Sequence, residues 1–256
     1  MTVHDLPATE AEVKKLKSEG YFVRERFFTG TELDRVEELA DRAIAFHNQC
    51  LDGEPTTYSS VSVKDGIVFA NQLADDSDAG AELLSFALQP RFASFARSVA
   101  GPDAAHHCWQ IVYKFPHFTS PFPWHQDHTH TPADRPFYNI WIALSDMSAE
   151  NGCLRVLPGV ALDQVLQYHP TPFGMSCWPL DDPNQGIPME MERGSVFVVT
   201  SHTLHMSGGN YTDGYRKALL LVLVDRNAVV HGRPVRSIPY DSTAPHDSKL
   251  VEASRG

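Results

Sequence analysis

Apolar residues recur at helical spacing in the first third of the chain. After Thr29, the residues Leu33, Val36, Leu39, Ala40, Ala43 and Ile44 fall three or four apart, which places them on one helix face. Thr9 with Glu12, and Thr29 with Glu32, each have the spacing of a capping box, and Gly20 supplies a stop after the first. A third helical stretch runs from about Gly80 to Ala100 and is interrupted or restarted at Pro90, which has no N–H to donate. A short apolar segment from Gly66 to Leu73 reads as a strand.

From His106 onward the texture changes. HCWQIVYKF, YNIWIALSDM, CLRVLPG, GSVFVVTS and KALLLVLV are short segments rich in aromatic and β-branched residues, with Gly, Pro, Asn and Asp between them. That pattern predicts a sandwich or barrel of short strands. The stretch Asp163–Met189 is crowded with turn signals and reads as a long irregular insertion, functional or mobile. We expect a single domain over 1–256, mainly β with α. Its parts are a helical N-terminal layer over about 1–104, a β core over about 105–230 and a polar tail at 231–256.

Composition narrows the partners. Of 256 residues, 42 % are hydrophobic, enough for a sizeable core; 21 Lys and Arg against 32 Asp and Glu give a net charge of −11. No basic run stands out, so nucleic acid and anionic membrane surfaces are poor partner candidates. The longest apolar run, Ala218 to Val224, is too short to span a bilayer, and the first residues lack the apolar segment of a secretory signal. Cys50, Cys108, Cys153 and Cys177 form no CxxC pair and read as reduced thiols of a cytoplasmic protein, filling space as small apolar residues.

The chemistry concentrates in PWHQDHTH, residues 123–130. His125 and Asp127 stand one residue apart; on an extended strand such positions share a face about 6.5–7 Å apart, and an imidazole with a carboxylate suits Fe(II), Mn(II) or Zn(II). Two residues alone are a weak signal. A third ligand is sought in SHTLHMSGGNYTDGYRKALLLVLV, where a strand leads to His202 and His205 and GGNYTDG signals a turn. His202 and His205 are three apart, so regular β-structure aims only one at a metal, and the spacing to Asn210 and Arg216 favours His205. If the segment is a hairpin, His205 and Arg216 flank its loop on neighbouring strands and share a face. A guanidinium there suits the carboxylate of a compound bound to the metal. Two histidines, one carboxylate and open positions are the pattern of non-haem Fe(II) oxygenases.

The blocks WHQD (124–127), IWIALSD (140–146), NGCLRVLPG (151–159) and HMSGGNYTDGYRKA (205–218) resemble the phytanoyl-CoA dioxygenase family of Fe(II)/2-oxoglutarate-dependent oxygenases. The resemblance implies a double-stranded β-helix, a jelly-roll, cupin-like core, with Fe(II), 2-oxoglutarate and O2 as cofactor and co-substrates. Carried over, it implies iron ligands His125, Asp127 and His205, with Arg216 on the distal carboxylate of 2-oxoglutarate and Ser207 assisting. Trp141 sits where the family has an aromatic near the co-substrate. Gln110 lies on the preceding strand, where family members contact 2-oxoglutarate. Where relatives often read PGSHK, this chain has PGVAL at 158–162, so substrate identity does not transfer. The expected reaction is oxidation, most simply hydroxylation, of an unactivated C–H in a small, partly apolar molecule. A small residue in place of Asp127 would instead point to halogenation.

Other readings are weighed beside it. HQDHTH contains letters of the zinc-hydrolase signature HxHxDH, but in the wrong order, and that fold wants alternating strands and helices. A non-catalytic cupin-like binding module needs no cation opposite its metal, so Arg216 counts against it. His128 and His130 line the substrate pocket or face solvent; the walls would include Phe69, Tyr168, Phe173, Met175 and Trp178.

Overall fold

The first helix forms where the sequence supplies both of its ends. The structure, a computed structural model, describes residues 7–51, 62–64, 67–71, 78–179 and 185–240; for 44–51, 62–64 and 67–71 only the backbone path is described. The expectations placed on the side chains of Ile44, Cys50 and Phe69, and on the tail from 241, lie outside the described residues. In α1 (Glu10–Glu19) the Thr9 hydroxyl accepts from the Glu12 N–H at 3.2 Å, and the Glu12 carboxylate accepts from the Thr9 N–H at 2.7 Å. Gly20 ends the helix at φ 89°, where a side chain would be strained. The expected second box is different: Glu32, early in α2 (Gly30–Leu51), gives its carboxylate to Arg91. The third helical stretch divides at Pro90, as its missing N–H requires, into α3 (Asp78–Ala87) and α4 (Pro90–Ala100).

The first hundred residues are not helical throughout. β1 (Tyr21–Arg24) follows Gly20 directly, and β2 (Ser62–Lys64) and β3 (Ile67–Asn71) lie beyond α2. Tyr21 and Phe22 face opposite sides, the period of a strand. Next come β4 (Ala104–Lys114), β5 (Phe122–His125), a four-residue helix α5 (Asp127–His130), β6 (Tyr138–Ala143) and β7 (Leu154–Val156). The segment expected to be irregular contains a small hairpin, β8 (His169–Thr171) with β9 (Gly174–Ser176), and then β10 (Ile187–Pro188). The remaining strands are β11 (Val196–Thr200), β12 (His205–Ser207), β13 (Arg216–Asp225), β14 (Val229–Val230), β15 (Arg233–Pro234) and β16 (Ile238–Pro239). Residues 231–240 are therefore no loose tail: β16 pairs with β4, and Tyr240 is buried.

Among the described residues, two main antiparallel sheets form, beside the two-stranded pairs β8-β9 and β14-β15. The larger runs β1-β11-β6-β13-β4-β3-β2, with β16 also on β4; the smaller runs β10-β7-β12-β5. Alternation divides the buried apolar residues of β4, β6, β11 and β13 between two cores. Trp109, Ile111, Ile140, Ile142, Leu219, Leu221 and Leu223 pack with α2, α3 and α4 residues such as Leu33, Leu83 and Phe95. Leaving those sheet residues exposed would forfeit about 1.5–3 kcal/mol each, so this face requires the helices. Their neighbours Val112, Trp141, Ala143, Leu220 and Val222 face the other way and pack with Leu154 and Val156 of the smaller sheet. The site lies in this inner layer.

Candidate active site

β5 ends at His125, and β12 begins at His205; the two are direct partners across the β5–β12 ladder. That pairing sets their ring centroids 4.1 Å apart. Each ring is fixed by its own backbone: His125 Nδ1 lies 2.9 Å from the Pro123 carbonyl and His205 Nδ1 2.9 Å from the Thr203 carbonyl. An Nδ1–H donated in this way leaves the Nε2 lone pair free for a metal. Burial first, and then the neighbouring His205, hold the His125 imidazole well below its ordinary pKa, which favours the neutral, ligating form.

Asp127 reaches the rings by a different route from the expected strand alternation. Gln126 is the last extended residue, and Asp127 opens α5, whose turn brings the carboxylate back. Its two oxygens lie 3.6 Å from His125 Nε2 and 3.7 Å from His205 Nε2. Both separations fall below the ~4.2 Å that two bonds of about 2.1 Å to one ion permit. One atom from each of the three groups lies within 4.8 Å of the other two, a donor set that can hold a metal ion. The Asn139 amide donates to Asp127 Oδ2 at 2.6 Å and fixes the carboxylate. Nothing local in the sequence marks Asn139; its inward position on β6, two residues before Trp141, was the available signal.

His202 does not compete for the site. It lies in the turn before β12 and stacks on His128, with centroids 4.1 Å apart and planes 28° apart. His128 is thus committed away from the cluster. His130 lies closer, its ring 5.9 Å from that of His125 and its Nε2 2.7 Å from the Tyr168 hydroxyl. Gln126, inside WHQD, is fully buried. Its amide donates to the carbonyls of Ala161, Gln164 and His202, and its oxygen accepts from the Leu166 N–H. It ties the 157–168 segment and the His202 turn to the strand that carries His125. Trp124 is core, packed with Cys177, Leu204 and Met206.

The expected hairpin is not there. His205 belongs to β12 in the smaller sheet and Arg216 to β13 in the larger one, so the turn between them crosses the sandwich. Asn210 closes that turn: its amide donates to the Gly214 carbonyl, and its oxygen accepts from Thr212 N–H and hydroxyl. Arg216 is 1 % exposed, and its Cζ lies 6.0 Å from the Trp141 ring. Burial pushes its pKa down to about 10, and among the described residues its Nε and Nη1 have no hydrogen-bond partner. The sequence offered no hint of the neighbouring group. Lys114, the β4 partner of Arg216, is completely buried and donates to Ser207 Oγ at 3.0 Å and to the Gly208 carbonyl. Burial first, and then Arg216, hold its ammonium well below the ordinary lysine range. Gly152 makes room: a Cβ there would meet the Gly208 oxygen at 2.6 Å and Lys114 Cδ at 2.9 Å, and its φ is +80°. Gln110 is half-buried on β4, in the alternation that points Val112 inward, with a hydrogen bond to Cys108. Cys108, Cys153 and Cys177 are buried free thiols.

The phytanoyl-CoA dioxygenase (PhyH) family model matches residues 16–218. The chain belongs to the phytanoyl-CoA dioxygenase family. Among curated relatives, the peroxisomal phytanoyl-CoA dioxygenase of Bos taurus is 29 % identical over 162 residues, 57 % of this chain and 47 % of that protein. A probable alpha-ketoglutarate-dependent hypophosphite dioxygenase of Stutzerimonas stutzeri is 26 % identical over 222 residues, 79 % of this chain and 73 % of that protein. The chain thus spans about half the length of the phytanoyl-CoA dioxygenases it matches. Solved structures share the fold, among them the following two. The alpha-ketoglutarate-dependent carbocyclase SnoK from nogalamycin biosynthesis has a TM-score of 0.69 at 20 % identity, covering 91 % of this chain and 89 % of that one. EvdO2 of Micromonospora carbonacea var. aurantiaca, complexed with 2-oxoglutarate, has a TM-score of 0.61 at 18 % identity, covering 96 % and 98 %. Among the described residues, no helix is long and apolar enough to cross a membrane.

Proposed function

We propose that this family member is an Fe(II)/2-oxoglutarate-dependent oxygenase that hydroxylates a C–H bond of a small, partly apolar molecule, with the two facing sheets forming a double-stranded β-helix. The observation that carries the proposal is a pairing: the His125–Asp127–His205 cluster opens the same interlayer that holds buried, unsatisfied Arg216. In this reading His125 and His205 offer Nε2, and Asp127 offers one carboxylate oxygen in a plane set by Asn139. Arg216 and Ser207 hold the distal carboxylate of 2-oxoglutarate, Trp141 walls the co-substrate, and Gln110 lines the inner face of β4. Bound iron and 2-oxoglutarate supply the oxidative activation of dioxygen that side chains alone lack. The protein's part is placement and the exclusion of water.

His130 and Tyr168, hydrogen-bonded beside His125, are proposed to face the substrate. Phe173 at the tip of the β8–β9 hairpin and Met175 on β9, both exposed, supply apolar surface on a strand that packs against β5. A substrate from specialised metabolism is part of the proposal; SnoK and SnoN, which share the fold, come from nogalamycin biosynthesis. The hydrolase alternative would need His128 in the cluster, whereas that ring stacks on His202.

Succinate release from 2-oxoglutarate, followed across a small-molecule panel with Fe(II) and O2, tests the proposal. Turnover is expected to depend on all three and to vanish in Asp127→Ala. Zinc-dependent hydrolysis, or turnover surviving in Asp127→Ala, would overturn it.

A further inference from the structure

Lys114 is a buried group that the proposed chemistry does not use. It ends the long strand β4 at a position where a lysine would ordinarily carry its charge to water. Instead the side chain turns into the interlayer and is 0 % exposed. Its ammonium has three hydrogens; among the described residues it finds two acceptors, the Ser207 hydroxyl and the Gly208 carbonyl. Directly across the ladder, Arg216 is 1 % exposed, with Nε and Nη1 unpaired. Two basic side chains are thus buried side by side, and among the described residues no carboxylate pairs with either. Burying an unpaired charge is costly, and an anion between the two side chains would offset that cost. Until one arrives, burial and the Arg216 charge both weigh against the ammonium form.

We propose that Lys114 is the second cationic group of the co-substrate seat, sharing the distal carboxylate of the keto acid with Arg216. This rests on the function proposed above. A carboxylate has two oxygens and about four acceptor sites; the Arg216 fork takes two, leaving capacity for an ammonium hydrogen. Ser207 links the seat to the metal, because it stands two residues beyond His205 on β12, a step of about 6.5–7 Å along a strand. A short keto diacid, chelated at one end and anchored at the other, spans such a step. A keto monoacid would leave both basic groups without an anion, so the seat selects for the diacid.

Anaerobic calorimetry of 2-oxoglutarate binding to the Mn(II)-loaded protein tests this, using wild type, Lys114→Met, Lys114→Gln and Arg216→Ala. Both Lys114 variants are expected to bind 2-oxoglutarate about 10- to 100-fold more weakly, the scale of one hydrogen bond to a charged group. Mn(II) affinity measured without 2-oxoglutarate should be unchanged. The melting temperature without ligand should hold or rise, because a buried basic group lacking its anion has been removed. A merely structural lysine would behave oppositely, with a lower ligand-free melting temperature and normal 2-oxoglutarate affinity in the glutamine variant. That pattern, or equal loss of Mn(II) affinity without 2-oxoglutarate, overturns the proposal. If Arg216→Ala weakens binding and neither Lys114 variant does, the oxygenase reading stands and the role of Lys114 falls. If wild type holds Mn(II) but takes no 2-oxoglutarate, both fall.

Discussion

Replacing Asn139 with leucine removes a single contact from the candidate metal centre while leaving all three donor groups in place. The Asn139 amide lies 2.6 Å from Asp127 Oδ2, and among the described residues its side-chain oxygen has no partner, so leucine deletes one hydrogen bond and strands nothing else on that residue. A hydrogen bond to a charged group contributes about 1.5–3 kcal/mol. At about 1.4 kcal/mol per tenfold, full use of that energy to orient the carboxylate corresponds to roughly 10- to 100-fold in metal affinity. Asp127 keeps its charge and its Oδ1, so binding weakens without vanishing; Asp127→Ala, which removes the donor itself, sets the lower limit. The assay is an anaerobic titration of Fe(II) or Mn(II) against a competing chelator, without 2-oxoglutarate, alongside the melting curve of the metal-free protein. Asn139 is buried on β6 between β11 and β13, so the melting curve detects any repacking. If Asn139→Leu melts like wild type and binds metal just as tightly, the carboxylate needs no orienting partner and the role given to Asn139 is wrong.

Gln126→Leu should cost about 2–4 kcal/mol, since it removes two amide hydrogens shared among three carbonyls and the acceptor of one N–H, at about 1 kcal/mol for each hydrogen bond. Urea denaturation would measure the loss, and proteolysis should find residues 157–168 newly accessible; unchanged stability would mean water replaces the amide. For Glu12, burial works to raise the pKa, but hydrogen bonds from Arg24 and Thr9 outweigh it, and the net shift is downward. A depressed carboxylate stabilises the fold above its unfolded pKa of about 4.3 and loses that contribution as pH falls through the folded value. Glu12→Gln should therefore lower the melting temperature at pH 7, by an amount corresponding to about 1 kcal/mol or less for one partly screened ion pair. The gap should close in acid; a gap independent of pH would show that charge is not involved.

Much of the fold was legible because its signals are local. Thr9, Glu12 and Gly20 specify a helix within a dozen residues, and Pro90 divides one helical stretch into two. The short runs YNIWIA and KALLLVLV, rich in aromatic, β-branched and other apolar residues, mark strands buried on both faces. The cluster residues themselves were legible, since the HxD spacing and the block around His205 and Arg216 carry the family resemblance. β1 was missed because three apolar residues after a helix stop are too few to establish a period.

What the sequence by itself determined is therefore which short segments are strands, where helices begin and end, and which side chains bear chemistry. Only the tertiary structure decided which sheet each strand joins. The turn 208–215 has the same turn chemistry whether it closes a hairpin or crosses the sandwich, so local signals could not place His205 and Arg216 in opposite sheets. Lys114, Asn139 and Gln126 act through partners 93, 12 and 76 residues away, as in Lys114 to Ser207, Asn139 to Asp127 and Gln126 to His202. Such contacts depend on ladder register and on which face is buried, and neither is written in any window of neighbouring residues.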